Sequence, residues 1–106
     1  MAILASLDST LDQAISASGF GNHSGAVSKF RSVANDLQQL AEWCRNNPDA
    51  AREQWTDAAR SSMRDVSRKA GALHGYGASS AQSSDYTVQH GRVMSYITQI
   101  QGVVGA

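Results

Sequence analysis

The chain has 106 residues, with nine Lys+Arg against nine Asp+Glu and a formal net charge of zero. That length carries one hydrophobic core and excludes two independent ones. Charged residues are 17% of the total, well under the usual ~25%, and the balance excludes the basic excess that recruits nucleic acid or an anionic membrane surface.

The breaks fall near 19–23, 46–48 and 75–83, where Gly19, Gly21, the only proline Pro48, and Gly75-Tyr76-Gly77 stand. They divide the single domain, 1–106, into four predicted helices. The first is expected near 3–17, where Leu4, Leu7, Leu11 and Ile15 recur at steps of three and four. The second is expected over 24–46, with Ser24 as its cap. Val27, Phe30, Val33, Leu37, Leu40 and Cys44 fill one of its faces.

Asn46-Asn47-Pro48 ends that helix. Asn47 is suited to cap the next one, and Pro48 fits its first turn, where the missing N–H costs nothing. The third helix is expected over 48–74, with Trp55, Met63, Val66 and Leu73 inward. So short a turn folds the second and third helices back as an antiparallel hairpin. The fourth is expected over 84–104, with Tyr86, Val93, Ile97, Ile100 and Val104 on its apolar side. Strand alternation is nowhere sustained. The fold class is therefore all-α: a hairpin with amphipathic N- and C-terminal helices. Leu7, Leu11, Val27, Phe30, Leu37, Leu40, Trp55, Met63, Val66, Leu73, Val93, Ile97 and Ile100 are the expected core.

Little in this pattern points to catalysis. Cys44 lies on the apolar stripe of the second helix, where a thiol packs as a small hydrophobe. His23, His74 and His90 have no ligand spacing between them, and the carboxylates are scattered along helices. The single cysteine excludes an internal disulfide. No enzyme, cofactor or metal site is expected.

The residues left over point to association. Arg60, Arg64 and Arg68 stand at i, i+4 and i+8, roughly 180° from the inner stripe by the 100°-per-residue rule. They make either a solvated outer face or a docking stripe for an acidic partner or a neighbouring subunit. Trp43 falls roughly 120° off the second helix's stripe. Tyr76 lies beyond the third helix. Both stand where interface aromatics sit. The face Val93/Ile97/Ile100/Val104 is the first surface expected to meet a partner, because the flanking Gly/Ser-rich joint lets the last helix dock on a neighbour.

Two resemblances follow. Leu37-Gln38-Gln39-Leu40-Ala41-Glu42-Trp43, then a break and an Ala-rich helix, resembles the Trp-x-Gly hairpin proteins exported by type VII secretion. Cys44-Arg45 follows Trp43 in place of the family's glycine, and Ser80 stands where the export signal's acid would follow Tyr76. Asn46-Asn47-Pro48-Asp49-Ala50-Ala51 with the Tyr86–Val104 helix resembles needle and pilus subunits of type III secretion. Both families imply a non-enzymatic secretion-associated protein acting by helix–helix association, as a homo-oligomer, with a helical partner, or as a filament.

No apolar run reaches the ~20 residues that span a bilayer. Met1–Ile15 lacks the basic region of a cleaved secretory signal. The expected location is thus outside the cell without a cleaved signal, or at the cell surface. The alternative is a cytoplasmic helical adaptor, immunity protein or chaperone.

Overall fold

The computed structural model describes residues 1–105, and among them all regular structure is helical. Five helices follow one another: α1 (Ile3–Gly19), α2 (His23–Asn46), α3 (Pro48–Glu53), α4 (Asp57–Gly77) and α5 (Ser83–Val104). No helix among the described residues is long and apolar enough to cross a membrane.

The apolar period of α1 buries Leu4, Leu7, Leu11 and Ala14, and adds Ser18 at its end. The helix stops because Gly21 takes a left-handed φ of 81°, open to glycine without a Cβ clash. The turn is short, so α2 returns antiparallel along α1. Asn22, rather than Ser24, caps α2, its Oδ1 accepting the Gly25 N–H at 3.0 Å. Nine residues of α2 from Ala26 to Cys44 are buried, the largest single contribution to the core. Each fully covered Phe or Leu among them stabilises the fold by about 1.5–3 kcal/mol.

Pro48 opens α3 as expected, but Asn47 does not cap it. Its Nδ2 instead donates back to the Trp43 carbonyl at 3.0 Å. The expected third helix is two. Gln54-Trp55-Thr56 separates α3 from α4, and Thr56 takes an extended ψ of 171° while its Oγ1 accepts the Ala59 N–H at 3.1 Å. The break lets Trp55 turn inward, to 5% exposure, while Thr56 restarts the chain with a side-chain cap.

The expected hairpin is also corrected. α2 packs on α1 and α5, and α4 packs on α1 and α5, whereas α2 and α4 do not run along one another. The chain forms two helical hairpins, α1–α2 and α4–α5, which close into a ring in the order α1, α2, α5, α4. α3 carries the chain diagonally across the end of this ring, packing on α2 and α5. Arg52 of α3 fixes the crossing by donating Nε–H to the Val103 carbonyl at 3.1 Å, a cation meeting the carbonyl end of a helix. On the opposite seam, Lys69 Nζ of α4 lies 2.8 Å from Asp8 and 2.9 Å from Asp12 of α1. These two carboxylates, Asp8 foremost, raise the lysine's pKa.

Every residue expected in the core is buried. The expected partner face of the last helix is buried with them. Val93 and Ile100 are fully covered, and Ile97 and Val104 nearly so, by the chain's own helices. That apolar stripe closes the ring between α2 and α4 and offers no docking surface, which corrects its assignment to a partner.

The far end of the bundle holds a polar lock. Gly75-Tyr76-Gly77 is the last turn of α4 rather than a loop. Gly77 is buried against the Tyr86 ring, which a Cβ at that position would overlap. Tyr86 is itself fully buried, its hydroxyl donating to Ser18 Oγ at 3.1 Å and lying 2.8 Å from His23 Nδ1. α1, α2, α4 and α5 thus meet at one side chain.

Candidate functional site: an arginine-lined groove beside α4

Thr56 starts α4, and the helical rise then fixes Arg60, Arg64 and Arg68 about 6 Å apart along its surface. They do not stand diametrically opposite the core. Met63 lies on the same flank of the helix, and Trp55 comes in beneath from the α3–α4 break. Together with Ser67 and with Gln101 from α5, these side chains line a groove of about 430 Å³. No carboxylate is among the described residues that line it.

The charges on the groove are only partly answered. Arg60 Nη1 lies 3.0 Å from Asp57 Oδ1, and Arg68 Nη2 3.3 Å from Asp65 Oδ1. Both are i, i+3 pairs with solvent-facing acids, of the kind that contributes about 0–1 kcal/mol. Among the described residues Arg64 has no ion-pair partner. It stands between two arginines at i−4 and i+4, a like-charge arrangement that costs about 0.2–0.5 kcal/mol per pair. The floor is apolar: Met63 is 2% and Trp55 5% exposed. Trp55 Nε1–H is buried without an acceptor among the described residues, and a buried donor left unmatched is costly.

The other sequence-selected residues do not join this groove. Trp43 is half-buried against the core at the end of α2. Tyr76 is 59% exposed at the end of α4. Because α2 and α4 run in opposite directions, the two aromatics sit at opposite ends of the bundle and form no common surface. Val93, Ile97, Ile100 and Val104 are interior. Of the residues selected from the sequence as interaction sites, the three arginines line this groove.

The titratable groups elsewhere are tied into the fold. Cys44 is fully buried, and burial pushes its thiol pKa up, away from thiolate chemistry. His74 and His90 stack with ring centroids 4.5 Å apart and 7° between planes, and His74 Nε2 lies 3.0 Å from Thr87 Oγ1. Burial first, and the neighbouring His74 second, lower the pKa of His90. Among the described residues no group of three or more His, Cys, Asp or Glu is arranged to hold a metal ion.

Sequence reasoning placed Trp55 in the core and missed its second role as groove floor, together with Met63, Ser67 and Gln101. The available signal was Thr56-Asp57, a capping residue followed by an acid, which marks Trp55 as the last residue of a loop.

No family model, curated protein or solved structure matches this chain.

Proposed function

We propose that this chain is a non-enzymatic helical module that works by binding another protein through the arginine face of α4. One observation carries the reading: three guanidiniums border a groove with no carboxylate among the described residues that line it. The buried thiol, the stacked imidazoles and the Tyr86 lock are committed to structure, and this supports association over catalysis. The partner is a protein, either a helical partner or a further copy of the chain.

Where such a module works follows from two different observations. The Leu37–Trp43 and Asn46–Ala51 patterns support a secretion-associated protein. That reading includes the dimeric hairpin and the needle-type filament subunit. The closed ring supports a cytoplasmic adaptor, immunity protein or chaperone, because among the described residues no apolar helix stripe is left waiting for an assembly partner.

Site-specific photo-crosslinking tests the binding face. A photoreactive residue at Ser61, exposed between Arg60 and Arg64, is compared with one at Ser32, exposed on α2. Discrete protein adducts through Ser61 and none through Ser32 are expected in the native cell. Equal adducts at both positions, or none, contradict the reading.

A further inference from the structure

We infer that the groove beside α4 is a receptor for an acidic segment of another protein. That segment seats an apolar side chain on Trp55 and Met63, between carboxylates held by Arg60, Arg64 and Arg68. The inference rests on the reading of α4 as a binding face and specifies the chemistry of what it binds.

Charge is the first argument. Arg60 and Arg68 flank Arg64 at one helical turn on either side, and the three repel one another within the free chain. Asp57 and Asp65 touch only the outer two, and Asp57 is fully exposed. Each guanidinium carries five N–H donors in a planar fork. Most of those donors stay open to an incoming carboxylate, for which the fork is the matching shape. A carboxylate bound at Arg64 relieves two repulsions at once. A neutral partner relieves neither.

The floor is the second argument, and it is independent of charge. Trp55 and Met63 both line the groove, and the covered indole N–H adds no polar group to that surface. Met63 beside the indole offers a polarizable apolar contact that adapts to different side chains.

Size and spacing narrow the occupant. About 430 Å³ accommodates inserted side chains. A whole helix, about 10–12 Å across, does not fit inside, so the segment's backbone lies across the mouth. The arginines repeat every ~6 Å along α4. Alternate residues of an extended chain repeat at about 6.4–6.8 Å, so acids two residues apart match neighbouring guanidiniums.

The test uses the full chain with Trp43→Phe, so that Trp55 is the single tryptophan and its emission reports the groove directly. The probe is a short synthetic peptide with a leucine flanked by glutamates at alternate positions. The first control replaces the glutamates by glutamine, and the second replaces the leucine by alanine. Saturable change in Trp55 emission is expected with the acidic leucine peptide, weakening as salt rises. Arg64→Glu should weaken it at least about tenfold, equivalent to ~1.4 kcal/mol, whereas Arg31→Glu on α2 should leave it unchanged. Equal binding of the glutamine peptide, an equal response to inorganic phosphate alone, or indifference to Arg64→Glu overturns the inference. A missing peptide response with Ser61 crosslinks retained removes the acidic-anchor assignment alone. Loss of both removes the binding face itself.

Discussion

Gly77→Ala places one methyl group where four helices meet. At most helical positions the change favours folding, since Gly costs about 1 kcal/mol relative to Ala. Gly71 in the same helix shows that ordinary case: it is exposed and a Cβ there meets no atom within 4 Å. At Gly77 the new Cβ overlaps the ring of Tyr86. The ring cannot swing aside, because Tyr86 is fully buried and its hydroxyl is held by Ser18 and His23. Overpacking of this kind costs about 1–3 kcal/mol, and the gain from helix propensity is small at the last residue of α4. The expected net loss is about 1–3 kcal/mol, or roughly 5–15 °C in melting temperature for a domain of this size. Urea and thermal melts followed by circular dichroism read the loss directly. Gly71→Ala should move the other way, by up to about 1 kcal/mol. In a Tyr86→Leu background the cost of Gly77→Ala should shrink by about 1 kcal/mol or more, as coupled neighbours require. A Gly77→Ala variant as stable as Gly71→Ala, or a cost unchanged without the Tyr86 ring, refutes the packing argument.

Three further outcomes are expected. Ile97→Asp should unfold the whole chain rather than only detach α5, because Ile97 is 3% exposed in the closed ring and an unpaired charge there has no partner; loss of all helical signal at once is the readout, and a folded remnant of α2 and α4 counts against the ring. The burial and the His74 neighbour that lower the His90 pKa make the unfolded chain protonate first. Stability is therefore full above pH ~6.5 and declines as pH falls below it, until folded His90 is protonated too; the urea midpoint at pH 7.5 against pH 5 measures this, and His90→Gln should flatten the trend. Cys44, fully buried with its thiol pKa raised, should react with a thiol reagent only as fast as the chain opens, so labelling in native buffer at the rate of the urea-unfolded chain contradicts its burial.

The parts of the fold that were legible are those governed by local period. Leu4, Leu7 and Leu11 mark α1, and Val27 to Cys44 mark α2, because each helix writes its buried stripe at the 3.6-residue repeat. The break at Gln54-Trp55-Thr56 escaped because Trp55 suits an inward position on a continuous helix as well as it suits the loop. Only the Thr56 cap distinguishes the two. The ring order was not legible for a different reason. A stripe states that a face needs cover but not which helix covers it. Six residues of α3 suffice to carry the chain across the diagonal, where the sequence reading expected a tight hairpin. The Tyr86 lock draws Ser18, His23 and Gly77 from three distant segments, and no spacing announces it.

For the candidate site, the arginine stripe was visible in the i, i+4, i+8 spacing, since that depends on α4 alone. The groove was not, because Trp55 and Gln101 reach it from a loop and from another helix. The apolar face of α5 was assigned to a partner for the same reason: periodicity identifies Val93, Ile97, Ile100 and Val104 as needing burial but cannot tell a neighbouring chain from the chain's own α2 and α4.

Arg64→Glu tests the central claim most directly, because stability and binding should change in opposite directions. The substitution converts two repulsive i, i+4 pairs with Arg60 and Arg68 into attractive ones, each worth about 0.2–0.5 kcal/mol, so the melting temperature should hold or rise slightly. Photo-crosslinking through Ser61 in the same variant should fall at least about tenfold if the partner is held by the guanidiniums. Undiminished adducts in a variant that is equally folded would contradict the account.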